Sequence, residues 1–361
     1  VSAVAQLKKD ESYMLVGTYT SGKASGIYVY KFNSYTGKAD SVSMIKSENP
    51  SFIAVSPNQR FVYAVNENAS NGNGGTVSAY SFNKKTGQLI FINQQPSGGD
   101  HPCYVTVDKT GKWVIVGNYS SGSLSVLPVA ADGGLLPPDT VIRHVGNSIN
   151  EQRQKSPHVH CTLLSDDNRY LFVPDLGMDK VMIYEFDEKK GSLKPTEQAY
   201  VASIPGSGPR HITIHPNNKF AYLIEEMSGT VVAYQYNNGN LRAMQRVSTV
   251  EKTDTGFIGS ADIHISNDGR FLYASNRGGN NTIAIFKIDS VTGKLSLAGH
   301  QPTKGSFPRS FSLDPSGEFL LAANQHSDMI AVFVLNKRTG LPLDTGTRIK
   351  VGNPVCIKWI R

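Results

Sequence analysis

Cysteine is scarce in this chain of 361 residues. The three present, Cys103, Cys161 and Cys356, are far apart, odd in number and without CxxC spacing. They offer neither a disulfide framework nor a structural zinc site. Long apolar runs are missing too, and none approaches the roughly 18 residues of a membrane-spanning helix. Basic residues outnumber acidic ones by 36 to 29, a net charge of +7, yet no block of Lys and Arg accompanies the excess. That argues against nucleic acid and for a small anionic partner. No GxSxG nucleophile elbow occurs. The glycine-rich segments NGNGG (71–75) and GGNN (278–281) precede no helix, so they read as turns rather than phosphate-binding loops. Scattered thiols fit a reducing cytoplasm. The start at Val1 rather than Met leaves an exported form as the alternative. Nothing in the sequence fixes an oligomeric state.

What the chain does contain is repetition. A strand-like phrase recurs seven times, as YMLVGT, FVYAVN, WVIVGN, YLFVPD, FAYLIE, FLYASN and FLLAAN. The phrases end at Thr18, Asn66, Asn118, Asp175, Glu225, Asn276 and Asn324, about every 51 residues. A second phrase of near apolar/polar alternation follows each one (GIYVYKF, TVSAYSF and their counterparts), then a hairpin glycine at 37, 87, 133, 191, 239, 293 and 340. Glycine there supplies the positive φ of a tight turn. A strand and turn such as HITIHPNNKF precede the first phrase in most repeats.

Four short antiparallel strands per repeat are too thin to bury their own faces. Radial stacking buries both, which is an all-β, seven-bladed propeller. The first repeat lacks its innermost strand, and the chain ends in an orphan strand, NPVCIKWIR (353–361). That strand is expected to complete blade 1 and close the ring. Residues 1–12 are read as an N-terminal extension and 13–361 as one propeller domain. Trp113 and Trp359 fall in strand phrases and are read as blade core.

Alignment of the repeats becomes a map of heights along the axis. The start of the innermost strand aligns Ser51, Cys103, His160, Arg210, Ala261, Arg309 and Val355. The residue after the second strand aligns Tyr19, Glu67, Tyr119, Leu176, Glu226, Arg277 and Gln325. In an antiparallel hairpin these two positions are neighbours, so both sets line one rim of the central channel. The candidate site is His160, Arg210, Glu226, Arg277, Arg309 and Gln325, with Tyr119 on the same rim and His158 beside it. Three arginines on one rim call for an anion, and guanidinium groups bind phosphate or carboxylate in bidentate fashion. The plainer alternative is a set of structural ion pairs. A carboxylate and an imidazole within the ring suit the proton transfers of a hydrolysis.

Other groups carry less. His158 and His160, two apart on a strand, or Asp262 and His264 at the same spacing, lack a third metal ligand, so no metal is assigned. Glu225 points away from Glu226 and is read as packing or a salt bridge. Asn66, Asn118, Asn276 and Asn324 are read as caps on local backbone. The longest gap between repeats holds VIRHVGNSINEQRQKSPHVH (141–160), a polar loop running into the His pair, and reads as a lid or specificity element.

At HPCYV (101–105), SPHVH (156–160), GPRH (208–211), IEEMSGTV (224–231), ADIHISNDGRFLYASNRG (261–278) and FPRSFSLDPSGEFLLAANQ (307–325) the chain resembles the seven-bladed propeller lactonases. That family takes in propeller-type 6-phosphogluconolactonases and the carboxy-cis,cis-muconate lactonizing enzyme. The resemblance implies a site of one His, two Arg and one Glu. These fall on the His of SPHVH, on Arg210, on Glu226 and on Arg277; repeat alignment favours His160 over His158. The family often has Asn-Glu where this chain has Glu225-Glu226. The resemblance implies hydrolysis of 6-phosphogluconolactone to 6-phosphogluconate, a step of the pentose phosphate pathway, without a cofactor. Arg210 and Arg277 would hold the anion and the oxyanion, and Glu226 or His160 would take the proton of water. His158, Arg309, Gln325 and Tyr119 would contact substrate. A muconate-type or other sugar lactonase, and a non-enzymatic propeller that binds a protein or glycan, are the competing classes.

Overall fold

Runs rich in Val, Ile, Tyr and Phe, bounded by Asn-, Asp- and Gly-containing turns, favour pleated strands. A computed structural model describes residues 10–69, 74–251 and 256–361 and arranges those runs in seven four-stranded sheets. Among the described residues the only helix is one 3-10 turn, Gln325–Ser327. Residues 1–9 of the expected N-terminal extension, and 71–73 of the NGNGG segment, lie outside the described residues. The first strand starts at Glu11.

Blade 1 is built from both ends of the chain. Its innermost strand is Pro354–Ile360, paired antiparallel to Glu11–Thr18 with Val16 opposite Ile357 and Tyr13 opposite Ile360. The C-terminal strand therefore closes the ring, as its orphan status in the sequence foretold. From blade 5 round through blades 6, 7, 1 and 2 to blade 3, the innermost strands of neighbouring blades touch one another.

Stacking removes both faces of each blade from water. In blades 4, 5 and 7 all six residues of the second strand are buried. The third strands depart from the alternation expected of them: Ser123–Pro128 is buried at five of six positions. In that strand even the serines are covered, whereas polar positions near the outer hairpin of other third strands, such as Glu185, Gln235 and Lys287, stay exposed. Fully burying one Val or Leu contributes about 1.5–3 kcal/mol. These strands carry most of the core.

The blades interlock by a repeated device. Every second-strand phrase opens with an aromatic residue whose ring covers the hairpin glycine of an adjacent blade, as Phe319 covers Gly37, Tyr13 covers Gly87 and Trp113 covers Gly191. At Gly191 φ is +67°, and a Cβ would lie 2.4 Å from the indole. Glycine is required there twice over, for its dihedral and for the ring. Trp113 is thus a half-buried inter-blade cover packed on the edge of the core against the cluster of Ile115, Val126 and Leu171, with its indole N–H donating to the Glu188 carbonyl at 2.9 Å. Trp359 is also half-buried, edge-on to Phe32.

The asparagines that end the second strands differ from their reading as local caps. Asn118 donates to the Ser97 carbonyl, Asn276 to Thr249 and Asn324 to Thr303, each just beyond the outermost strand of the preceding blade. Asn66 reaches the Glu48 carbonyl in the same way. They tie one blade to the next where the chain crosses over. Glu225 takes this position in blade 5 and holds Arg246, Thr230 and Ser228 away from the channel.

Candidate active site

The rim residues owe their direction to irregularity in the innermost strands. The register between innermost and second strands shifts at Cys103, at Arg210 and at Arg309. A similar shift falls at Val355 in blade 1. A bulge leaves its extra residue out of the ladder and re-aims the side chain, here into the channel mouth. In blade 4 the innermost strand breaks outright: Val159 bridges Asp175, and pairing resumes only at Leu163. His160 lies in that gap. On the partner strands, Glu226 and Tyr119 sit one residue past the strand end, while Arg277 is still inside its strand.

These positions converge on one cavity of about 280 Å³, lined by Tyr19, Glu67, Cys103, Tyr119, Arg153, His160, Arg210, Glu226, Phe257, Arg277 and Arg309. Glu226 is its hub. Arg210 donates to Oε2 at 2.6 Å, Arg153 donates to Oε1 at 2.7 Å, and Arg277 Nη2 lies 3.0 Å from Oε2. The last contact has ion-pair distance without hydrogen-bond alignment, so the buried Arg277 Nη2 has a charge partner but no aligned hydrogen bond. The other end of Arg277 is fixed: Nε donates to the Gly259 carbonyl at 2.9 Å, and the guanidinium covers the Phe307 ring. Arg210 is fixed likewise by Nε to the Ala261 carbonyl, 2.8 Å.

Burial raises the proton affinity of Glu226, but Arg277, Arg210 and Arg153 outweigh it and hold its carboxyl well below the usual range. It is ionised throughout the neutral range. His160 faces Arg210 through Nε2 and the Cys103 thiol through Nδ1 at 3.7 Å. Burial, with Arg210 and His211 beside it, drives its proton affinity far down, so it is neutral at pH 7. Burial pushes the Cys103 thiol up and keeps it protonated, which disfavours it as a nucleophile. Burial and the crowding of Arg210 and Arg309, opposed by Glu226, lower Arg277 to about 9. Cations packed this closely are relieved by an anion.

The cavity has a floor. Below it the rings of Phe52 and Tyr104 stack at 4.0 Å, and Tyr104 meets His211 edge-on at 5.3 Å. Asp262 locks this layer, accepting from Ser310 (2.9 Å) and lying 3.0 Å from His211 Nδ1 and 3.1 Å from His264 Nε2. The Asp262–His264 pair is therefore a hydrogen bond inside a plug. Among the described residues no group of three His, Cys, Asp or Glu side chains is placed to hold a metal ion.

Of the residues singled out in the sequence, His160, Arg210, Glu226, Arg277, Arg309 and Tyr119 share this cavity. His158 stands behind Tyr119, stacked on its ring at 4.4 Å and bonded through Nδ1 to its carbonyl. The Tyr119 ring thus packs against both His158 and His160. Gln325 is outside the lining; its backbone N–H donates to the Phe307 carbonyl and its Oε1 is buried without a partner.

A family model for the seven-bladed β-propeller lactonases matches residues 13–359. The chain belongs to that family. It is 40% identical over 331 residues to a 6-phosphogluconolactonase of Formosa agariphila, covering 91% of this chain and 93% of that one. A 6-phosphogluconolactonase of Bacillus subtilis is 36% identical over 348 residues, 96% of this chain and 97% of its own. The solved structure of a periplasmic gluconolactonase of Pseudomonas aeruginosa superposes with a TM-score of 0.93 at 36% identity, over 97% of this chain and 99% of that chain.

Within this propeller lactonase two unlike walls face each other across the cavity. One gathers Arg153, Arg210 and Arg277 around Glu226, with His160 neutral beside them. The other sets Arg309 over the Tyr19 ring, with the Tyr19 hydroxyl donating to Glu67 at 2.7 Å and Ser51 donating to the same oxygen. Tyr19, Glu67 and Cys103 stand in the aligned columns and line the cavity, beyond the residues the sequence singles out. Arg153 lies in the long loop, outside any repeat register. Among the described residues no helix is long and apolar enough to cross a membrane.

Proposed function

We propose that this chain hydrolyses a phosphorylated sugar lactone, 6-phosphogluconolactone, to the open-chain acid. One observation carries the reading: four arginines against two carboxylates around a single cavity, an excess of two positive charges. A phosphate monoester carries about two negative charges at pH 7. The three-arginine wall suits the anionic end and the developing oxyanion. The Arg309–Glu67–Tyr19 wall, with donors and acceptors side by side, suits the hydroxyls of a sugar ring. The names of the Formosa and Bacillus relatives agree with it. Three free, buried thiols go with a cytoplasmic location.

In this reading Glu226 Oε takes a proton from water as the water oxygen bonds to the lactone carbonyl carbon. The carbonyl becomes an oxyanion facing Arg277 Nη2 and Arg210, donors already fixed by Gly259 and Ala261. Collapse breaks the bond from carbonyl carbon to ring oxygen. That oxygen takes the proton back from Glu226, and the new carboxylic acid ionises into solvent. His160 is the poorer base, because the single acceptor nitrogen of its neutral ring is met by Arg210, whereas the Glu226 carboxylate keeps lone pairs beyond those its arginines take.

A second reading, an unphosphorylated aldonolactone, is favoured by the Pseudomonas neighbour. The test is acid release from freshly made 6-phosphogluconolactone, with Glu226→Gln beside the native chain. The native chain should far outrun spontaneous opening, and the variant should lose about 10²–10⁴-fold. A native rate equal to the spontaneous one overturns the proposal.

A further inference from the structure

Three of the four arginines grow from strands or strand ends; the fourth comes from a loop. Arg153 belongs to the long connection between blades 3 and 4, and its side chain is 37% exposed, against 2% for Arg210 and 5% for Arg277. The loop is firmly seated around it. His144 is buried between Asp175 (2.6 Å) and the Tyr184 hydroxyl (3.0 Å). Gln154 is fully buried and donates to both the Leu176 carbonyl and Asp179, 2.8 Å each. Asn150 Oδ1 accepts the backbone N–H groups of Gln152 and Arg153. Anchored on both sides, the loop presents one long, solvent-reaching cation at the mouth.

The tip of that cation donates to Glu226 Oε1 and to the Tyr119 hydroxyl, 3.2 Å. Its contacts differ in kind from those of its neighbours. Arg210 and Arg277 are held at Nε by backbone carbonyls and cannot leave without breaking buried hydrogen bonds. Arg153 has only side-chain partners among these contacts and reaches solvent, so it can leave Glu226 once another anion takes the place of that partner. It also occupies the Glu226 oxygen that the two buried arginines leave free, and an oxygen that accepts a guanidinium N–H is a weaker base than a free one.

We propose that Arg153 is a specificity-determining residue that guards Glu226 in the empty site and moves to the phosphate when a phosphorylated lactone enters. The inference rests on the phosphorylated-lactone reading above. The move exchanges one charge-assisted hydrogen bond for another and frees Oε1 to take the proton of water. A lactone without the anion leaves Arg153 on Glu226 and meets a weaker base. Discrimination thus acts on the chemical step as well as on binding.

The test compares the native chain with Arg153→Gln and Arg153→Lys on 6-phosphogluconolactone and on its unphosphorylated analogue. For Arg153→Gln the ratio of kcat/KM between the two substrates should fall roughly 10- to 100-fold, the worth of a charge-assisted bond. The phosphorylated rate drops and the unphosphorylated rate rises. The acid limb of its pH profile should move upward, because Glu226 has lost a cation. Arg153→Lys should restore most of the ratio. An unchanged ratio, or equal losses on both substrates with an unmoved acid limb, overturns the proposal. A native chain inactive on both lactones would instead refute the substrate reading. Arg153 is then judged by calorimetry with inorganic phosphate: about tenfold weaker binding in Arg153→Gln supports an anion-binding arm, and equal binding rejects it.

Discussion

At the scale of single residues, the site is defined by how each charge is held. Arg277 keeps its charge at pH 7 although burial and neighbouring cations lower it to about 9. A lysine has an ordinary pKa about two units below that of arginine. Under the same burden at position 277 it would discharge near neutrality. Arg277→Lys should therefore lose on the order of 10²-fold in kcat/KM at neutral pH. The sign is fixed by the charge: the ammonium form exists below the depressed pKa, so activity should recover as pH is lowered from about 8 to about 6. Glu226 does not obscure this, since its carboxyl stays ionised well below that window. A flat pH profile for the variant would show that the charge of residue 277 is not what matters.

Residue identity alone located much of this chemistry. His160, Arg210, Glu226 and Arg277 were legible because repeat alignment converts sequence position into height on a propeller. Arg153 was not, since a loop outside the repeat has no column to place it in. Gln325 shares a column with Arg277, yet the strand of blade 6 runs on through Gly278 while that of blade 7 ends at Asn324 in a 3-10 turn. His158 faces a neighbour's ring, a packing choice that spacing does not reveal.

At the scale of strands and hairpins, the repeated phrases announced the blades, but two features lay below their resolution. The bulges at Cys103, Arg210 and Arg309 turn these side chains into the mouth, and no composition marks them. The pairing of each hairpin glycine with an aromatic ring joins residues far apart in sequence. Both halves of that pair were visible, as Gly191 and Trp113 show; their contact was not. Gly191→Ala should destabilise the fold by about 2–4 kcal/mol, combining left-handed strain with overpacking against the indole. Gly346, also at positive φ but with nothing within 4 Å of a Cβ, is the control and should lose only the strain. Denaturant unfolding of the two variants checks the difference. Equal losses would mean the ring contact contributes nothing.

At the scale of the whole molecule, ring closure by Pro354–Ile360 holds seven blades at fixed angles, so residues from blades 1 to 7 meet across one cavity. The price is an assembly of like charges, four arginines against two carboxylates, on one cavity. Filling the cavity with an anion should stabilise everything around it. Inorganic phosphate at about 100 times its Kd should add about 2.7 kcal/mol to unfolding, seen as a rise in Tm that chloride at equal ionic strength does not reproduce. Equal effects of the two salts would point to screening alone.

The most direct measurement is the ratio of kcat/KM for freshly prepared 6-phosphogluconolactone over unphosphorylated gluconolactone in the native chain. An excess of two positive charges predicts a preference for the phosphorylated lactone of at least about 100-fold, with the difference shrinking as salt is added. Equal rates on both, or faster opening of the unphosphorylated lactone, would contradict the assignment of those arginines to a phosphate.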